Sequence, residues 1–180
     1  MSQTVTSWYK LENRRAGALI MGAGLRTRAA SAALCILLVA ASGEAWAGSD
    51  LTGAKAFMEE LYPTKKTVQA GPVKARVGPK VEFRTGHPSE LVSVDLTGDQ
   101  LIMQTSVTAF MEKAKFNGFG FRFKGAPAIS AVTIDPSSTL KVEPGRITFG
   151  AKDVYINLSN RLFTAGEVLV LDFTFAAPTR

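Results

Sequence analysis

The chain has 180 residues, 46% of them hydrophobic and 20% charged, a balance that suits one globular domain with a real core and excludes a disordered chain. One His and one Cys cannot build a zinc finger, a His-rich metal centre or a disulfide framework. The formal charge is +6, and no apolar run reaches the length of a membrane-spanning helix.

Residues 1–20 are long and polar. Arg26 and Arg28 then precede the small-and-apolar stretch Ala29–Ser42, and Ala45-Trp46-Ala47 follows. A basic region, an apolar region and an A-x-A site are the three parts of a secretory signal peptide. Fourteen helical residues rise roughly 21 Å, short of the ~30 Å hydrocarbon core, so a permanent anchor is not expected. Residues 1–47 thus read as an N-terminal extension and signal-peptide helix, with Ala45 and Ala47 as the cleavage residues. Met21 opens a better-proportioned signal than Met1, and translation is expected to begin there. Cys35 is a hydrophobe of the leader, since Ala32-Ala33-Leu34 does not form a lipoprotein box. The protein is therefore expected to be secreted or periplasmic, with no stable membrane span after cleavage.

Cleavage after Ala47 leaves 133 residues with no Cys and no Trp. It removes five basic and two acidic residues, leaving a net charge of +3, so a nucleic-acid role loses its main support. Without disulfides, stability must come from packing.

Residues 48–63 form a lead-in, one or two helical turns or irregular chain, ended by Tyr62-Pro63. Turn chemistry then recurs at Gly71-Pro72, Gly78-Pro79, Gly86-His87-Pro88, Thr97-Gly98-Asp99, Gly125-Ala126-Pro127, Asp135-Pro136, Glu143-Pro144-Gly145 and Thr164-Ala165-Gly166. Between these marks Phe119, Phe121 and Phe123 alternate with Gly120 and Arg122. Val154, Ile156 and Leu158 alternate with Tyr155 and Asn157, and Leu169, Leu171, Phe173 and Phe175 with Val170, Asp172 and Thr174. Period-two runs at this spacing predict strands at 73–77, 80–84, 91–96, 100–106, 117–124, 129–134, 139–143, 146–149, 153–158 and 167–175, with 107–116 also extended. The expected class is all-β: a single antiparallel β-sandwich, jelly-roll or Ig-like Greek key, over residues 64–180.

Over residues 62–175 the chain resembles the β-rich domain of bacterial exported proteins of the PEP-CTERM-associated type. The likeness rests on Val92–Leu96, Phe116–Phe119, Pro127–Asp135, Arg146–Phe149, Val154–Leu158 and Val168–Phe175 in that order. The sorting motif, apolar helix and basic end of that group are missing before Arg180, so its surface sorting is not implied. The group supplies no catalytic residue to carry over.

His87 reads as an exposed turn residue, because no nucleophile-elbow motif accompanies it. Asp95, Asp99, Asp135, Glu143, Asp153 and Asp172 are scattered, without a D-x-D-x-D-G loop. Turn capping and solvated faces account for most of them. Asp135 and Asp153 are the candidate calcium ligands, and no other cofactor is expected. Lys65, Lys66, Lys74, Arg76 and Lys80 run without an acid between Glu60 and Glu82. They either guard an early edge strand or meet an anionic surface. Tyr155, opposite in phase to Val154 and Ile156, is the best sugar-stacking candidate, with Lys74 and Arg76 as candidate ligand-binding residues. Asn157 is expected to bond a neighbouring turn. The reading is a non-catalytic exported module with a binding or structural role at the bacterial cell envelope or outside the cell, its candidate partners envelope polysaccharide or another exported protein, with no nucleic acid. The alternatives are a carbohydrate-active hydrolase using paired carboxylates and a calcium-dependent adhesin or matrix component.

Overall fold

The computed structural model describes residues 49–86 and 88–177. The extension and signal-peptide helix expected over 1–47, with Ala45 and Ala47, lie outside the described residues, as does His87. The described chain is all-β, in antiparallel sheets, and none of its helices is long and apolar enough to cross a membrane.

The strands are β1 (Lys55–Leu61), β2 (Val68–Arg76), β3 (Val92–Leu96), β4 (Gln100–Thr105), β5 (Ala109–Met111), β6 (Gly118–Lys124), β7 (Ile129–Ile134), β8 (Ile147–Phe149), β9 (Asp153–Asn157), β10 (Arg161–Phe163) and β11 (Val168–Phe175). A five-stranded sheet has the order β2-β1-β6-β9-β8, a four-stranded sheet the order β3-β4-β11-β7, and β10 pairs β5 in a separate ribbon. Alternation assigns the faces. Ala56, Met58, Phe119, Phe121, Phe123, Val154 and Ile156 of the larger sheet are buried in one cluster. Val92, Val94, Leu96, Leu101, Met103, Leu169, Leu171 and Phe173 of the smaller sheet complete it. Aromatic rings meet between the two sets, where Phe123 packs edge-on against Phe173 at 6.0 Å between centroids, and Phe83, bridged to Val94 of β3, meets Phe121 at 6.4 Å. Each such ring removed from water contributes roughly 1.5–3 kcal/mol.

Four departures from the sequence reading have physical causes. The expected lead-in contains β1, a central strand between β2 and β6, because Ala56 and Met58 are buried on alternate positions while Lys55, Phe57 and Glu59 take the other face. Residues 80–84 make only one bridge, Phe83 to Val94. There the Glu82 carboxylate takes the place of a ladder carbonyl, accepting from the backbone N–H of Gly78 at 2.8 Å and of Leu96 at 2.6 Å. Residues 139–143 are not a strand, although Thr139 and Leu140 both donate to the Val168 carbonyl. Hydroxyls replace the rest of the ladder: Val170 N–H bonds Ser138 Oγ and Val168 N–H bonds Thr139 Oγ1. Finally, 107–116 supplies only the short β5, whose partner β10 is too brief to register as a period.

A Cβ added at Gly118 would sit 2.0 Å from the Ile156 carbonyl oxygen, so Gly118→Ala should cost more than about 2 kcal/mol in urea unfolding. Wild-type stability in that variant would refute the β6–β9 contact. Burial is the largest influence on the Glu82 carboxyl and, with the nearby Asp95 charge, raises its pKa against the backbone N–H groups of Gly78, Leu96 and Glu82 itself. A raised carboxyl pKa favours the neutral acid in the fold, so its contribution is full below the unfolded pKa and is lost as pH rises through the folded value. Measured against non-titrating Glu82→Gln, wild-type stability should therefore fall as pH rises above the ordinary carboxylate range and through the raised folded value. A relative gain over that range would contradict this burial.

Candidate functional site

Of the residues singled out from sequence, Lys74, Arg76, Asp153, Tyr155 and Asn157 lie on the outer face of the five-stranded sheet, and Asp135 does not. On β1 this face carries Lys55, Phe57 and Glu59, and β6 adds Gly118, Gly120, Arg122 and Lys124. Asp153, Tyr155 and Asn157 of β9 lie on the same side. Lys74 and Arg76 stand on β2, opposite Phe57 and Lys55.

One end of the face is a row of three cations. Arg76, Lys55 and Lys124 are direct cross-strand partners on β2, β1 and β6. Like charges directly opposite one another destabilise a sheet. Edge protection accounts for Lys74 and Arg76, because β2 is an edge strand interrupted by Pro72. It does not account for Lys55 and Lys124, which sit on central strands. None of these four has a carboxylate partner among the described residues. Arg76 donates to the Gly53 carbonyl at 3.0 Å, and in the next row Arg122 pairs with Glu59 at 2.7 Å.

The opposite end of the face is covered. Gly120 leaves a flat gap in β6, into which Leu61 and Tyr155 settle. A Cβ there would lie 2.9 Å from Leu61 Cδ1 and 3.1 Å from Tyr155 Cε1. Leu61 and Phe116 are only 1% and 3% exposed, yet neither belongs to the main core. With Tyr155 they make a small second cluster on the outer face, where Phe116 meets the Tyr155 ring edge-on at 6.3 Å. Lys65 Nζ lies 4.9 Å from the Tyr155 centroid and hydrogen-bonds Thr148 Oγ1. Burial is the main cause of a raised Tyr155 pKa, and Asp153 adds to it. Tyr155 is outward, as its phase predicted, but it is a half-buried wall and not an open stacking platform.

Asn157 holds the neighbouring turns: its Oδ1 accepts from Asn117 N–H at 3.1 Å and from Ser159 N–H at 3.0 Å. Asp135 accepts from Ser137 N–H at 2.7 Å in the turn after β7, whereas Asp153 begins β9 of the other sheet. The two candidate calcium ligands are therefore on different sheets, and no group of three or more His, Cys, Asp or Glu is gathered among the described residues. Asp135 and Glu143 line one cleft of about 270 Å³. Both carboxyls have lowered pKa values. Ser137 holds Asp135 down through its side chain and its N–H, and Glu143 is held by its own backbone N–H and by Arg161 and Arg146. A carboxylic acid that must donate a proton near neutral pH needs the opposite shift.

Sequence reasoning missed Lys55 and Lys124. Their residue types were visible, but their juxtaposition depends on a register between strands 69 positions apart. Comparison of the chain with protein-family models, curated proteins and solved structures finds no match in any of the three.

Gly120→Ala tests the covered end. The added methyl must displace Leu61 or Tyr155, and an overpacked site of this kind costs about 1–3 kcal/mol. Unfolding at the wild-type denaturant midpoint would show that the two side chains are not seated on the glycine.

Proposed function

We propose that this is an exported, non-catalytic β-sandwich protein that binds anionic polysaccharide at the bacterial cell envelope or outside the cell. A single sandwich is supported by the aromatic contacts between the two sets of strands and by their shared core. Non-consecutive neighbours in both sheets support connections of the Greek-key or jelly-roll kind. Export is supported by the basic, apolar and A-x-A pattern of residues 1–47 and by the resemblance to PEP-CTERM-associated exported proteins.

The observation that carries the binding reading is the cation row Arg76–Lys55–Lys124 with Lys74 beside it. A pair of lysines opposed on two central strands weakens the sheet in the free protein. A polyanion laid across the strands would convert that repulsion into attraction. Uronic acid or phosphorylated chains present charges at sugar intervals and suit a flat, two-dimensional array better than a single small anion does. Phe57, between Lys74 and Arg122 in the adjacent row, offers an apolar contact for a sugar ring.

Affinity electrophoresis with polygalacturonate tests this reading. Retention should be strong at about 20 mM salt, weak at about 300 mM, and absent with neutral dextran. Lys55→Glu with Lys124→Glu should abolish retention while leaving the fold intact by circular dichroism. Equal retention of that double variant, or stronger retention by duplex DNA than by polygalacturonate, would overturn the proposal.

A further inference from the structure

A second, smaller site lies at the covered end of the same face. A cleft of about 240 Å³ is lined by Thr64, Lys65, Lys115, Phe116, Arg146 and Thr148, with Gly145 and Asn157 completing the wall. That is several times the ~30 Å³ share of one liquid water, so the cleft can hold a small polyatomic anion with some of its hydration. Three cations line it and no carboxylate does.

The state of each cation matters. Lys65 faces the Tyr155 and Phe116 rings, at 4.9 Å and 5.8 Å from their centroids, and its only polar partner among the described residues is the Thr148 hydroxyl. Lys115 makes no side-chain hydrogen bond or ion pair among the described residues. Arg146 is held from behind: Nε pairs with Glu143 Oε2 at 2.7 Å and Nη1 donates to the Ser159 carbonyl at 2.6 Å. Its Nη2 has no partner among the described residues. The guanidinium is thus fixed in orientation with donor capacity left over, the arrangement that recognises an oxyanion. Asn157 is already used on the turn side, so it forms wall and not ligand contact.

We propose that this cleft binds a phosphate monoester group. Lys65, Lys115 and Arg146 supply positive charge, and the Thr148 hydroxyl supplies a further donor, while Thr64 Oγ1 is engaged with Thr67 Oγ1 and the Lys66 N–H. Three cations and a hydroxyl match the three terminal oxygens of a monoester better than the two oxygens of a carboxylate. Gly145, whose Cβ position meets nothing within 4 Å, leaves the rim open for the group that carries the phosphate. Glu143 takes up part of the Arg146 charge while holding the guanidinium in place. The anion would draw Lys65 off the Tyr155 ring, which makes that ring the reporter of occupancy.

The site uses none of the cation-row residues and stands independently of polysaccharide binding. The test is an NMR titration of the full chain with inorganic phosphate, with a hexose 6-phosphate and with glucuronate, following the Tyr155 ring and the Thr148 and Lys115 amides. Saturable shifts are expected with phosphate or with the sugar phosphate. If the sugar phosphate binds about tenfold more tightly, the source is a phosphorylated sugar; equal affinity points to free phosphate, and both results support the site. Lys65→Gln with Lys115→Gln should weaken binding at least about tenfold. Lys55→Glu with Lys124→Glu should leave it unchanged, so a failure of the polysaccharide proposal is seen separately. Tighter binding of glucuronate, non-saturable shifts, or unchanged binding in the Lys65→Gln and Lys115→Gln double variant would overturn the assignment.

Discussion

The structure depends on the two-sidedness of one strand. β6 places Phe119, Phe121 and Phe123 into the core and Gly118, Gly120, Arg122 and Lys124 on the other face. The three rings supply a large part of the apolar burial that a chain without a disulfide network must rely on. The two glycines let β1 and β9 come close and leave room for side chains to lie flat across the sheet. Bulky residues at 118 or 120 would close that space and lift Tyr155 away from the sheet. The same alternation therefore sets both the interior and the shape of the outer surface.

That outer surface is built from parts that serve stability and parts that oppose it. Leu61, Phe116 and Tyr155 bury area outside the main core, and Glu59 offsets Arg122. Lys55 opposite Lys124 does neither. Under the proposed function, an anionic partner laid across that pair would relieve the repulsion. The smaller four-stranded sheet offers a contrast, since its outer positions include Ser93, Asp95, Gln104 and Asp172, with no cation among them.

Much of this was legible in the sequence, for reasons that can be located. The alternation in β6, β9 and β11 is long enough that only a strand fits, and it placed Tyr155 on the outward side. β1 was misread because Ala56-Phe57-Met58 is apolar without a gap, so its period of two appears only once Phe57 is seen on the outer face. The strands expected at 80–84 and 139–143 failed where Glu82, Ser138 and Thr139 bond the backbone with their side chains, a competition that apolar periodicity does not record. The cation row was hidden for a different reason. Lys55 and Arg76 are 21 positions apart and Lys55 and Lys124 are 69 apart, so their meeting is a product of register and not of local pattern.

The central claim is that the β1–β2–β6 side of the larger sheet faces a polyanion. Lysine acetylation footprinting of the full chain, read residue by residue with and without polygalacturonate, addresses it most directly. The account predicts slowed acetylation at Lys55, Lys74 and Lys124, with Lys141 on the loop after β7 unchanged. Uniform slowing at every lysine, or protection confined to Lys141, would contradict it.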